Sequence, residues 1–185
     1  MDCTFTGNSA SYGAGFYFDG YSNSFPFDSP ILSQCTFSDN VADNYGGKTY
    51  SSNHSPILTD CTFLGNLAKR GSGMYNSTSC NPVLTNCMFN GNIAQEYGAS
   101  LYNSSSCEPM LTNCLFSGNI ASRGGAIYNY YSNSLPTITN CTFSGNSASE
   151  ESIVINNRTD CTPTLINCIV WHNSSVGTAI SSGCP

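Results

Sequence analysis

Charge is what this chain has least of. Asp, Glu, Lys and Arg make up 9% of its 185 residues, against roughly 25% in an ordinary soluble domain. Five residues are basic and eleven acidic, a formal net charge of −6. That is too little positive charge to neutralise a run of phosphates, which excludes nucleic acid and anionic membranes as bulk partners. The only two histidines, His54 and His172, stand four or more repeats apart and cannot share a metal ion. No apolar run approaches the roughly 20 residues of a membrane-spanning helix, and no basic segment followed by an apolar one precedes the first repeat. A sustained 3.6-residue period is missing as well, which excludes a helical fold.

In place of charge the chain has Ser, Thr and Asn, 67 residues together, and eleven cysteines. A disulfide-stapled secreted module is the first reading of so many cysteines, but their spacing is that of a repeat. Cys35, Cys61, Cys87, Cys114, Cys141 and Cys168 fall 26, 26, 27, 27 and 27 residues apart, with Cys3 in the same place 32 residues before Cys35. Around them the chain reads PILTDCTFLGNLA from Pro56, PVLTNCMFNGNIA from Pro82, PMLTNCLFSGNIA from Pro109 and PTITNCTFSGNSA from Pro136. A second block follows, such as GSGMYN from Gly71, GASLYN from Gly98 and GGAIYN from Gly124. Each unit thus carries two short apolar runs separated by turn residues, too short for helices and suited to strands.

A unit of about 27 residues cannot bury enough apolar surface to offset its ordering entropy, so the units must stack. With one unit per turn of a parallel coil, equivalent residues lie about 4.8 Å apart and like sits on like; about seven such coils give an all-β solenoid on the order of 30 Å long, a single domain over residues 1–185. Leu32, Leu58, Leu84, Leu111, Ile138 and Leu165 form one inward column, and Phe5, Phe37, Phe63, Phe89, Phe116 and Phe143 another that Val170 closes. Leu58 and Phe63 differ in strand parity, so the chain is expected to bend at Asp60. The alanines from Ala10 to Ala148 mark a wall with room for a methyl group only. Gly7, Gly65, Gly91, Gly118 and Gly145 fit a turn with positive φ. Two asparagine columns, one typified by Asn92 and one by Asn86, are expected at sharp bends in the left-handed conformation, their amides bonding from turn to turn.

The paired FSGN and GGAIYN motifs resemble the FxxN and GGA(I/L/V) repeats of the polymorphic outer-membrane protein class of bacterial surface proteins. The resemblance spans essentially the whole chain and is strongest over residues 56–148. It implies a right-handed parallel β-helix that is exported and serves as a spacer or adhesive surface; the partner is left open, with surface glycans and matrix proteins as the candidates. Met1 lies two residues before the first column cysteine, so a fragment lacking its end caps is expected; an uncapped coil exposes a sheet edge and invites end-to-end association. More broadly the fold resembles that of pectate lyases and polygalacturonases, whose chemistry uses clustered aspartates with Arg, Lys or Ca²⁺. The scattered acids here do not repeat that pattern, and no catalytic, cofactor or metal site is expected.

Individual candidates remain. Asp39 and Asp43, four residues apart across a turn, could converge as the two carboxylates of glycoside hydrolysis, though the next unit lacks them. Glu151 and Ser152 take the place of Gly124 and Gly125, with Glu150 beside them, and are expected to distort a weakened unit. His172, after Trp171, is expected to be an exposed turn residue. The column cysteines deliver one thiol per coil along a line, unlike a tetrahedral zinc site, and are read as small buried apolar groups. Cys80 and Cys107, on adjacent turns, could form a disulfide. Thr59, Thr85, Thr112 and Thr139, with Thr36, Thr62 and Thr142, would suit an ice or crystal surface if both columns shared one flat face. Tyr12, Tyr21, Phe25, Phe27, Tyr130 and Tyr131, placed in links outside the core columns, are candidates for stacking on sugars. In a eukaryotic exported parent, Asn53, Asn76, Asn103, Asn140, Asn157 and Asn173 would be glycosylation acceptors.

Overall fold

The computed structural model describes residues 2–19, 29–45, 49–52, 55–131, 134–152, 154–158, 160–175 and 178–181. Every strand pair in it is parallel, and the strands form four sheets of seven, seven, six and six. In one coil these are Ile57–Thr59, Thr62–Leu64, Leu67–Arg70 and Met74–Ser77, called below the leucine, phenylalanine, alanine and tyrosine sheets. Register is like on like: Leu58 faces Leu84, and Phe63 faces Phe89. The chain is therefore a parallel β-helix of about seven coils.

The two apolar runs of each repeat become four strands because bends cut the first run twice. Asp60 has φ 54° and its counterparts Gln34, Asn86, Asn113, Asn140 and Asn167 lie between 51° and 56°; this left-handed bend keeps both Leu58 and Phe63 inward. The second bend falls at Gly65, φ 61°, where Asp39 and His172 adopt 54° and 49° in their own coils. A third, at Gly71, Gly98 and Gly124, joins the alanine sheet to the tyrosine sheet. The last two bends use glycine for different reasons. A Cβ on Gly91 would meet nothing within 4 Å, so only its dihedral matters and other residues substitute. A Cβ on Gly98 would stand 2.3 Å from the carbonyl oxygen of Leu101 and 3.0 Å from the Cβ of Tyr128, which leaves no room for a side chain.

The core is a set of columns. Phe5, Phe37, Phe63, Phe89, Phe116 and Phe143 stack in one file with ring centroids 4.5–5.0 Å apart and planes within 13° of parallel. Leu58, Leu84, Leu111 and Ile138 are buried beside it, as are the alanines from Ala42 to Ala148. The cysteines occupy the inside of the Asp60-type bend. Cys87, for example, donates to the carbonyls of Thr85 at 3.4 Å and Leu58 at 3.6 Å, tying its own bend to the coil before.

The two asparagine columns do different work. Only the Asn86 type is left-handed, and it is exposed. In the Asn92 type the members from Asn40 to Asn146 are fully buried, and their amides reach the coil on either side. Asn119 donates through Nδ2 to Asn146 Oδ1 at 2.8 Å and to the Phe89 carbonyl at 3.0 Å. Its own Oδ1 accepts from the Asn92 backbone N–H and from Asn92 Nδ2, both at 3.0 Å. A third ladder, Asn76 to Asn103 to Asn129 to Asn157 at 2.7–2.8 Å, runs buried behind the tyrosine sheet. Of the acceptor triplets, those at Asn76, Asn103 and Asn157 are thus closed inside the coil, Asn173 is half-buried and Asn140 is exposed; Asn53 lies outside the described residues.

Removing the Asn119 amide strands donors and acceptors in two neighbouring coils, at about 1–3 kcal/mol per unsatisfied buried group. Asn119→Ala is expected to lower unfolding stability by about 3 kcal/mol or more in a urea titration, whereas Asn113→Gly, on the exposed left-handed column, is expected to shift it by under about 0.5 kcal/mol.

Candidate ligand-binding ribbon

The tyrosines of the second block point out of the coil, because Met74 and Asn76 on either side of Tyr75 point in and are fully buried. Tyr102 and Tyr128 are nevertheless only 2% and 1% exposed. What covers them is the neighbouring sheet: at the Gly71-type bend the chain folds back, so the outer faces of the alanine and tyrosine sheets meet in a concave corner. Tyr75 and Tyr102 stack at 4.7 Å, Tyr102 and Tyr128 at 5.5 Å. Across the corner Tyr45 packs on Tyr75 at 4.9 Å and Tyr97 on Tyr128 at 4.7 Å.

On the alanine-sheet side, successive coils place Tyr12, Tyr45, Arg70, Tyr97, Arg123 and Glu151 in register. From Tyr45 to Arg123 aromatic rings and guanidinium groups alternate. Arg70 Cζ lies 5.3 Å from the Tyr45 ring centre and 5.1 Å from that of Tyr97, and Arg123 Cζ lies 5.8 Å from the latter. The strands Ile93–Tyr97 and Ser147–Glu151 carry one residue more than their partners, and the register shifts where it is inserted. The extra positions supply the acids: Glu96 Oε2 lies 2.7 Å from Arg70 Nε and its Oε1 lies 3.3 Å from Lys69 Nζ, while Glu150 Oε2 lies 2.9 Å from Arg123 Nε. Partial burial opposes ionisation of Glu96, but the bond from Arg70 and the two positive charges outweigh it and hold the carboxyl below its usual range. Four of the five basic residues therefore stand along this one ribbon, Arg158 joining it 4.0 Å from Glu151; Lys48 lies outside the described residues.

Tyr12 and Tyr130 are not in links; they belong to strands Ser9–Tyr12 and Ile127–Tyr130, and Tyr12 is a rung of the ribbon. Tyr131 packs edge-on against Tyr130 at 4.1 Å and is exposed. Tyr21, Phe25, Phe27 and His54 lie outside the described residues. Asp39 stands on a bend and Asp43 on a strand, both exposed. His172 is an exposed bend residue stacked on Trp171 at 4.0 Å. The two threonine columns lie on different sheets, Thr85 opposite Thr112 and Thr62 opposite Met88, with the Asp60-type bend between them, so they do not share one flat face. No disulfide joins Cys80 to Cys107: Cys107 donates to the Ser104 carbonyl at 2.7 Å and Cys80 to Asn76 Oδ1 at 3.7 Å, both turned into their own coil. Burial pushes the Cys107 thiol up to about 11. Glu151 pairs in register with Arg123, and Gly124 N–H bonds the Ser152 carbonyl. Ser152 thus stands where Gly124 does, and Glu151 does not replace a glycine; the extra residue of this strand moves the alignment by one.

The ribbon itself escaped the sequence reading, although its signal is there. Its rungs lie nine residues after Cys3, Cys61 and Cys114, and ten after Cys35, Cys87 and Cys141. The inserted residue smears one column into two.

The structure thus defines a class, the parallel β-helix, which carries an aromatic and charged ribbon along one corner of its exterior. Residues 1–135 match the family model described as right handed beta helix region, and the chain belongs to that family, its coils winding to the right. No curated protein and no solved structure matches the chain.

Burial raises the hydroxyl of Tyr128 from its ordinary value near 10 to about 12, with the charges of Arg158 and Arg123 opposing it. Below pH 10 the phenol is neutral folded and unfolded alike; between 10 and 12 only the unfolded chain ionises there, so stability drains away as pH rises through that window. Alkaline melting curves are expected to show Tm constant up to about pH 10 and falling above it, with phenolate absorbance lagging that of free tyrosine; a Tm flat to pH 12 would contradict the buried corner.

Proposed function

We propose that the chain is a non-catalytic segment of an exported or cell-surface β-helix, of the FxxN and GGA repeat type, acting as a spacer with an adhesin-like binding face. The observation that carries this reading is the ribbon: half-buried Tyr45, Tyr97 and Tyr130, with four of the five cations, follow one concave corner along the coil axis. Rings aligned with charged groups suit extended ligands such as surface glycans, where aromatic faces pack on sugar rings and ions bond hydroxyls. Matrix proteins are the other partner class that such a face serves.

Screening the purified chain against surface glycans and matrix proteins tests this directly. Binding is expected, and Tyr97→Ala is expected to weaken it at least tenfold while Thr85→Ala, on the leucine sheet, leaves it unchanged. Binding that survives Tyr97→Ala, or no binding to either class, would remove the ribbon as the adhesive face.

Glu150 and Glu151 raise a second reading, cleavage of a polysaccharide by paired carboxylates. Arg123 Nε stands 2.9 Å from one and 3.7 Å from the other, ion-paired to both, which favours a fixed binding pair over an acid and a nucleophile. Release of reducing ends or unsaturated products from plant or bacterial polysaccharides, lost in Glu151→Gln, would establish the enzyme reading; none is expected.

A further inference from the structure

The ribbon has a vacant place. In register, Tyr102 is followed by Tyr128 and Tyr128 by Asn156. One coil further, the bridge of Ile155 to Ile180 and the bond from Ser181 N–H to the Ile155 carbonyl put Ser181 over Asn156. Two successive rungs therefore lack a ring. On the facing side Glu151 stands in the place of Arg123, with Glu150 supplied by the extra residue. Where earlier coils fill the corner with tyrosine, this one opens a cavity of about 270 Å³ walled by Glu150, Glu151, Ser152, Asn156, Arg158 and Ser181, among others.

Size and lining together specify a ligand. Pockets for drug-sized molecules run from about 300 to 1,000 Å³, so this one has room for a single ring. The residues named in its wall are polar or charged, and they expose their carbon stems beside their polar atoms, which suits a guest with both hydroxyl groups and C–H faces. Glu150 and Glu151 accept, Arg158 donates, and serine hydroxyls do either, a mixture that matches neighbouring hydroxyl groups on one molecule. The two carboxylates are balanced by Arg123, 2.9 Å and 3.7 Å from them, and by Arg158, 4.0 Å from Glu151, so the cavity asks for no net charge. Asn156 is buried and its Cβ position lies 3.3 Å from where a Cβ on Gly124 would stand, the same close approach that the ladder tyrosines make to Gly71 and Gly98.

From this geometry we infer that the slot vacated at Asn156 and Ser181 binds one neutral hexopyranose unit, held by Glu150, Glu151 and Arg158, and is the terminal subsite of the ribbon. The inference rests on the glycan-binding reading above and assigns it a point of attachment.

Titration of the whole chain with methyl glucoside, methyl galactoside and methyl mannoside, followed by amide chemical shifts, tests it. At least one is expected to bind with Kd on the order of 1 mM, the weak end of specific recognition, with shifts centred on Glu151, Ser152, Asn156 and Arg158. Asn156→Tyr extends the tyrosine ladder into the slot, and it is expected to abolish those shifts while leaving Tm equal or higher. Arg158→Ala, an exposed position that the fold does not depend on, is expected to raise Kd at least fivefold. Sugar binding undiminished in both variants, or shifts confined to Tyr45 and Tyr97, would overturn the slot and leave the adhesive ribbon standing. If none of the sugars, alone or within longer glycans, binds the unmodified chain, the slot and the glycan-binding reading fall together, and the adhesive face stands only on matrix-protein binding.

Discussion

Neighbouring coils of a parallel β-helix lie about 4.8 Å apart, and every side chain must tolerate a copy of itself or its equivalent at that distance above and below. Phenylalanine meets the demand by stacking rings, leucine by filling volume, and asparagine by being donor and acceptor at once. A carboxylate or ammonium column would repel itself. Low charge in this protein is thus a consequence of its repeat: only 9% of its residues are charged, and where charges do meet between coils they are of opposite sign, as Arg123 stands against Glu151 and Arg70 against Glu96.

Buried asparagine is the strictest case. Phe89 and Leu84 contribute to a core that other apolar side chains would also fill, at a cost in packing. The amide of Asn119 closes bonds in two directions, one of them to the mid-strand carbonyl of Phe89 in the coil before. No other neutral side chain of that size offers both functions. Hence the column runs without substitution from Asn8 to Asn173, while the exposed column at Asp60 admits Gln, Asp and Asn, since there only a left-handed bend is demanded.

Much of this was legible in the sequence. The period, the inward columns, the bend at Asp60 and the parallel coil all follow from residues repeated at a fixed offset, because identical side chains in neighbouring coils report identical environments. Two things were not legible. Parity alone cannot tell whether Tyr75 points in or out when Met74 and Asn76 are respectively apolar and polar; only the ladder that buries Asn76 settles it. The ribbon alternates Tyr with Arg and shifts by one at each inserted residue, so neither residue type nor offset is constant. The misassignment of Glu151 has the same origin.

That contrast bears on where function can reside in such a molecule. A column identical from coil to coil is explained by stacking and carries no address: any coil could serve as well as any other. A ligand that occupies one place needs a coil that differs from its neighbours. Tyr128 gives way to Asn156 and Arg123 to Glu151 in the same coil, on the two facing sides of the same corner. Each replacement alone would read as decay of a repeat. Together they exchange a ring and a cation for a small amide and an anion around one cavity, whereas the Phe143 file of the same coil stays in its stack at 4.7 Å. The exchange is thus confined to the two walls that face one cavity, which is where a ligand held at a single place needs a coil to differ from its neighbours.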